Sequence, residues 1–280
     1  MLAAPVVAAD RRLVATLALN PALLGGGQTP SCPDNLASLY FAKQTERRLI
    51  VWRPYMENLL SRAGWARVIP FVLFMVLLAV RGYMPTESAL MDPRWVYGVS
   101  VAIVGASLIF FWRGYSEVGQ GAGLKLKHAL LSILVGVVVF KLWVLLTEPW
   151  MLLGTPTASF RPVDADGQLQ WGLIAVRWVG AALLVPVMEE LFWRSFLMRW
   201  IDNPEFEKVD PAEVSPKAMV LSTLVFMLAH TQWLGAVVAG LAYAWLYRYT
   251  RSLWAPIAAH AVTNGVLGVW VVVFGNWQFW

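Results

Sequence analysis

Cysteine, histidine and charge are all scarce in this chain of 280 residues. It has a single cysteine, Cys32, which excludes an internal disulfide framework and any zinc site built from cysteines. Charged residues make up 14% of the sequence, whereas a soluble domain carries about 25%. No basic run is dense enough to indicate a nucleic-acid partner. Since 59% of the residues are hydrophobic, the composition predicts a membrane protein.

Long apolar runs account for most of the sequence after residue 65. A helix needs roughly 20 residues to cross the hydrocarbon core of a bilayer. The run at 172–200 is long enough to form either one kinked helix or two pieces, and Pro186 interrupts it. We predict an all-α, polytopic transmembrane helix bundle of seven spans, or eight if a turn splits this run. The seven runs lie at about 67–81, 95–112, 129–147, 172–200, 218–231, 234–247 and 253–274.

Basic residues indicate the orientation of the bundle. Eight of them precede or open the first run, and basic-rich and basic-poor loops then alternate along the chain. The positive-inside rule therefore predicts a cytoplasmic N-terminus. We interpret residues 1–64 as a cytoplasmic extension, partly disordered, in which residues 36–64 form either an interfacial amphipathic helix or a solvated linker. Residues 65–280 form the membrane domain.

Ionisable side chains lie inside the apolar runs, although such groups are costly in a bilayer unless they are paired or face water. Five of them form a candidate set, namely Glu189, Glu190, Arg194, His230 and His260. Glu190 and Arg194 are four residues apart and can pair on one helix face, while Glu189 points about 100° away from Glu190. The pattern predicts a buried polar site inside the membrane, with Glu189 left as its free carboxylate.

The remaining site residues follow the same four-residue spacing on later runs. Phe226 and His230 share one face, as do His260 and Asn264. Counted from the predicted cytoplasmic helix ends, Glu189, His230 and His260 lie roughly 12–20 Å deep. We therefore expect Glu189, both histidines and Asn264 to meet at one level, open towards the cytoplasm.

Two kinds of chemistry fit this set of groups. A carboxylate beside an imidazole can take a proton from water, and an imidazole with an amide can donate to a developing oxyanion. Alternatively, Glu189, His230 and His260 could hold a divalent metal such as zinc, with one position open for water. Both schemes hydrolyse a carbonyl substrate, and the spacing does not separate them.

Three motifs resemble those of a known family. The stretches Glu189–Arg194 (EELFWR), Phe226–His230 (FMLAH) and His260–Asn264 (HAVTN) look like the EExxxR, FxxxH and HxxxN motifs of the CAAX prenyl endopeptidase and bacteriocin-processing (CPBP, or Abi) family, in the family's order. The resemblance covers about 172–274. Residues 67–104 also look like a bacterial subgroup that accompanies exosortase and PEP-CTERM sorting systems.

The resemblance implies an intramembrane endopeptidase, usually called a metalloprotease, in a bacterial inner membrane. It implies that Glu189 activates the water, His230 positions it, and His260 and Asn264 stabilise the oxyanion. By the same resemblance Glu190 and Arg194 order the site, while Phe226 shapes its wall. The substrate would be a protein or peptide in the membrane, cut near its C-terminus and prenylated or otherwise lipidated, with lipids as the other partner.

Two other functions fit the same residues. A non-catalytic membrane partner, such as an immunity protein, could retain this fold. A proton-coupled transporter could use the same buried carboxylate and imidazoles, although the chain shows no inverted repeat that would support it.

Overall fold

Seven helices make up the computed structural model, which describes residues 60–83, 92–119, 123–154 and 160–280. Short 3-10 turns join several of them, and the isolated bridge between Val163 and Leu169 is the only β pairing in these ranges. The interfacial helix predicted within 36–64 lies almost entirely outside the described residues. The helices are α1 (Arg62–Tyr83), α2 (Val96–Phe111), α3 (Leu126–Leu145), α4 (Trp171–Asp202), α5 (Pro216–Leu228), α6 (Trp233–Thr250) and α7 (Trp254–Phe274).

Each of the seven predicted apolar runs coincides with one of these helices. Five segments are long and apolar enough to cross a membrane, namely α1, α2 with its flanking turns, α3, α4 and α7. The helix α5 is apolar but shorter. The all-α membrane bundle is therefore confirmed. Because α4 continues from Trp171 to Asp202 without a turn, the described chain gives no sign of the eighth span.

The length of α4 is accommodated by two widened, π-helical segments, Gly180–Leu184 and Leu191–Met198. The first ends two residues before Pro186, and the amide of Val185 bonds to the carbonyl of Gly180, five residues back. A proline has no amide hydrogen to continue the ladder, so the helix widens here instead of breaking. The second segment follows Glu190 directly, and such bulges are frequent at functional sites.

Close packing of small residues brings the site-bearing helices together. On α6 the small residues Ala236, Gly240 and Ala244, spaced four apart on one face, are all buried. A Cβ on Gly240 would lie 2.7 Å from the side chain of Thr223 on α5, so this crossing has no room for a larger residue. The helix α3 packs equally closely against α7 at Gly136.

A segment after α3, residues 146–154, covers the turn between α5 and α6. The amide of Leu153 donates to the carbonyl of Thr231 over 2.7 Å, and the indole of Trp233 donates to the carbonyl of Trp150 over 2.9 Å. This cap, as we call residues 146–154, fixes the turn that carries His230.

Candidate active site

The fully buried carboxylate of Glu190 lies at the centre of the site. Its Oε1 accepts a hydrogen bond from Nη1 of Arg194 over 3.1 Å and another from Nδ1 of His260 over 2.9 Å. Arg194 also donates from Nη2 to the carbonyl of Gly240 over 3.3 Å. Glu190 thus joins α4 to α7, and through Arg194 to α6. The sequence predicted its pairing with Arg194 but not its contact with His260.

Glu189 differs from its neighbour in lacking a cationic partner. Its side chain is half-buried, and its Oε2 is shielded from solvent with no hydrogen-bond donor among the described residues. The imidazole of His230 interacts electrostatically with this carboxylate. An unpaired carboxylate in an apolar bundle is energetically costly, so the buried oxygen has an unfilled place for a hydrogen-bond donor.

His230 lies in the turn after α5 and is held by a residue of that helix. Its Nδ1 lies 2.8 Å from the carbonyl of Phe226, and a ring nitrogen facing a carbonyl must carry the proton. In the neutral imidazole, Nε2 is then free to accept a hydrogen bond. The rings of Phe226 and Trp143 contact the imidazole, with centroids 4.3 Å and 5.8 Å away.

Asn264 has a contact that the motif did not indicate. Its Nδ2 donates over 2.9 Å to the carbonyl of Ala181. In the π-helical register this carbonyl would face the amide five residues on, which is at Pro186 and does not exist. Asn264 therefore supplies a donor that the proline removed, and it keeps its second N–H for another acceptor.

A second polar cluster, which the sequence analysis missed, lies towards the end of α4. Arg67, the basic residue that opens the first predicted run, is buried inside α1 and pairs with Glu117 from the loop after α2. Glu117 also accepts from Ser195 and, over 3.0 Å, from Arg199. Burial alone would raise the pKa of Glu117, but Arg67 and the Ser195 hydroxyl hold it below its ordinary value. The run boundary fell at Arg67, so only its contacts could have shown this role.

This second cluster borders an open cavity of about 560 Å³ at the ends of α4 and α6. Arg199 and Tyr247 line it from the two helices, and Arg199 donates to the Tyr247 hydroxyl over 3.3 Å. The cavity is a separate feature from the Glu190 centre, because none of the motif residues lines it.

The predicted metal ligands are not arranged as a ligand set. Within the described ranges no three His, Cys, Asp or Glu side chains are grouped closely enough to hold a metal ion. Glu190 and the carbonyl of Phe226 take up the Nδ1 atoms of His260 and His230, so only the Nε2 atoms of the two imidazoles could bind a metal. The zinc trio of Glu189, His230 and His260 stays a prediction, and no step below is assigned to a metal.

The apolar helices and the polar centre buried among them define the class as a membrane helix bundle with an internal ionisable site. Residues 171–266 match the family model described as "Type II CAAX prenyl endopeptidase Rce1-like". The matched range contains all three motifs, and it confirms the family that they predicted. That family is one of proteases, which act on protein or peptide substrates. No curated protein and no solved structure matches the chain, and nothing bears on the exosortase subgroup.

Proposed function

We propose that this chain is an intramembrane endopeptidase that cuts a lipidated protein or peptide near its C-terminus, using water activated by Glu189. The observation that carries the proposal is the contrast between two adjacent carboxylates. Glu190 binds Arg194 and His260 through its Oε1, whereas Glu189 has no ion pair among the described residues. Each of the two carboxylates also has a buried Oε2 without a donor. Environments that separate two carboxyl groups in this way are typical of acid–base catalysis.

The residues support a complete proton path. Glu189 takes a proton from a water held with the free Nε2 of His230, and the hydroxide adds to the peptide carbonyl carbon. The oxyanion accepts hydrogen bonds from the second N–H of Asn264 and from Nε2 of His260. With Nδ1 donating to Glu190, His260 donates there as the imidazolium, and the Glu190 carboxylate stabilises that cation through the Nδ1 hydrogen bond. As the C–N bond breaks, the protonated Glu189 returns its proton to the leaving amine.

The orientation of the helix bundle in the membrane is also a proposal. The end of the bundle at which α4 and α6 finish carries Arg199, Lys208, Arg248 and Arg251, and a concentration of basic residues favours the cytoplasmic side of a bacterial inner membrane. The substrate would then reach the site from the cytoplasm or the adjoining leaflet.

The test compares Glu189→Gln with the wild type on a farnesylated C-a-a-X peptide carrying a fluorophore and a quencher. Loss of the base should lower kcat by at least about 100-fold while thermal unfolding in detergent is unchanged. Glu205→Gln serves as the matched control, since Glu205 is an exposed carboxylate paired only with Lys208. Cleavage by Glu189→Gln at the wild-type rate would refute the glutamate base.

A second experiment, in which the inactive variant traps its substrate, addresses substrates other than the probe peptide. Glu189→Gln isolated from its native membrane should retain uncut substrate, which mass spectrometry of the co-purified peptides would identify. If the wild-type protein cleaved neither the probe nor a trapped peptide, and its cellular role survived Glu189→Gln, the non-catalytic partner function would replace this one.

A further inference from the structure

Both histidines of the site are backed by aromatic rings that meet at one guanidinium. The ring of Phe226 packs on His230 with centroids 4.3 Å apart, and the guanidinium carbon of Arg194 lies 4.8 Å from the centre of that ring. On its other side Arg194 lies 5.4 Å from the ring centre of Tyr243, which stacks on His260 at 5.1 Å and 22°. These five side chains form a continuous row. We call the row the aromatic column; in order it contains His230, Phe226, Arg194, Tyr243 and His260.

Tyr243 is anchored independently of the column. It is 1% exposed, and its hydroxyl donates to Oγ1 of Thr263 over 2.7 Å. That Oγ1 is in turn 2.9 Å from the carbonyl of Gly136. The ring therefore has a fixed height and tilt relative to α3 and α7, so it can set the plane of the imidazole stacked on it. Tyr243 belongs to none of the three motifs.

We propose that Tyr243 is a positioning residue of the site, the counterpart of Phe226. The two rings clamp Arg194, and the clamp sets the separation and tilt of the imidazoles of His230 and His260. Stacked rings and a guanidinium over a ring face have preferred geometries, so a change at one end of the column is transmitted to the other. The catalytic part of this inference rests on the proposed endopeptidase function, whereas the structural part does not.

The first measurement separates kcat from KM. Tyr243→Leu removes the ring and should lower kcat by about 10- to 100-fold, since misplacing a reacting group by about 1 Å costs rates of this order. KM should change by less than about 2-fold, because Tyr243 contacts the site's own groups and not the substrate. Tyr243→Phe keeps the ring and should stay within about 3-fold of the wild-type kcat. Tyr243→Met, which fills similar space without a ring, replaces the leucine variant if that fails to fold.

The second measurement needs no substrate. The chain has three histidines, His128, His230 and His260, so ¹⁵N-histidine labelling gives three sets of ring signals that single His→Gln variants assign. Tyr243→Leu should shift both His230 and His260 and leave His128 unchanged. The control is Tyr249→Leu on the same helix, because Tyr249 is 59% exposed and contacts His128 at 6.0 Å. This variant should shift His128 alone.

The outcomes are distinguishable. Wild-type histidine signals or wild-type kcat in Tyr243→Leu would overturn the inference, and a shift of His260 without His230 would overturn the clamp. If the wild type cleaves no peptide, the proposed function fails, while the histidine signals still decide whether the column exists.

Discussion

Gly136 lies where α3 crosses α7, beside Ala259, the residue before the catalytic candidate His260. A Cβ built on Gly136 would be 2.4 Å from the carbonyl oxygen of Ala259 and 2.8 Å from Cβ of Val262. Ordinary contacts begin at 3.4 Å, so Gly136→Ala must separate the two helices by about 1 Å. Overpacking of this kind typically costs about 1–3 kcal/mol of stability. We expect the melting temperature in detergent to fall by about 5 °C.

The same displacement acts on the site, because Ala259 directly precedes His260. Moving α7 by about 1 Å would stretch the 2.9 Å hydrogen bond from His260 to Glu190 beyond the range of such bonds. Cleavage of the farnesylated peptide should then drop by about 100-fold. The matched control is Gly82→Ala, since a Cβ on Gly82 meets nothing within 4 Å. A Gly136→Ala variant that melts and cleaves like Gly82→Ala would refute the close helix crossing.

Two further predictions concern other polar contacts. Glu117→Gln leaves its buried arginines without a counter-charge and should cost about 3–5 kcal/mol in thermal unfolding. Arg67 helps to hold the pKa of Glu117 in the folded protein below its ordinary 4.5. The stability advantage of the wild type over Glu117→Gln should therefore persist above pH 4.5 and vanish as the pH falls through the folded-state pKa. A stability difference that is independent of pH would contradict this. Asn264→Ala should lower the stability of the fold by about 1 kcal/mol, because the Ala181 carbonyl loses its donor. The loss should be smaller in a Pro186→Ala background, where residue 186 regains an amide hydrogen that can bond to this carbonyl. Equal losses in the two backgrounds would show that Asn264 does not replace the donor missing at Pro186.

The helices were predictable from the sequence because apolar runs of membrane length have no other stable conformation in a bilayer. The pairing of Glu190 with Arg194 was equally predictable, since four-residue spacing is a local property of a helix. The continuity of α4 through Pro186 was not. It depends on a widened segment, and one carbonyl of that segment is satisfied by Asn264 from α7, a contact between distant parts of the chain.

The longer-range contacts were missed for related reasons. His260 was expected to face the reacting carbonyl, and nothing in its spacing showed that one of its nitrogens meets Glu190. Arg67 was counted with the charges outside the membrane, because its partner Glu117 lies 50 residues away. Tyr243, inside an apolar run, is indistinguishable by composition from an aromatic residue that packs or faces lipid. In each case the signal is a partner in a distant part of the chain, which periodicity cannot identify.

The cap over the turn between α5 and α6 has a consequence for the membrane as an electrical barrier. A file of water passing two carboxylates and two imidazoles would conduct protons and drain the gradient across the bilayer. The ring of Trp143 packs on His230, and the cap, which accepts a hydrogen bond from the indole of Trp233, closes over the same turn. A continuous file of water there would have to displace these packed rings and hydrogen-bonded peptide groups, so the packing opposes a proton leak through the bundle.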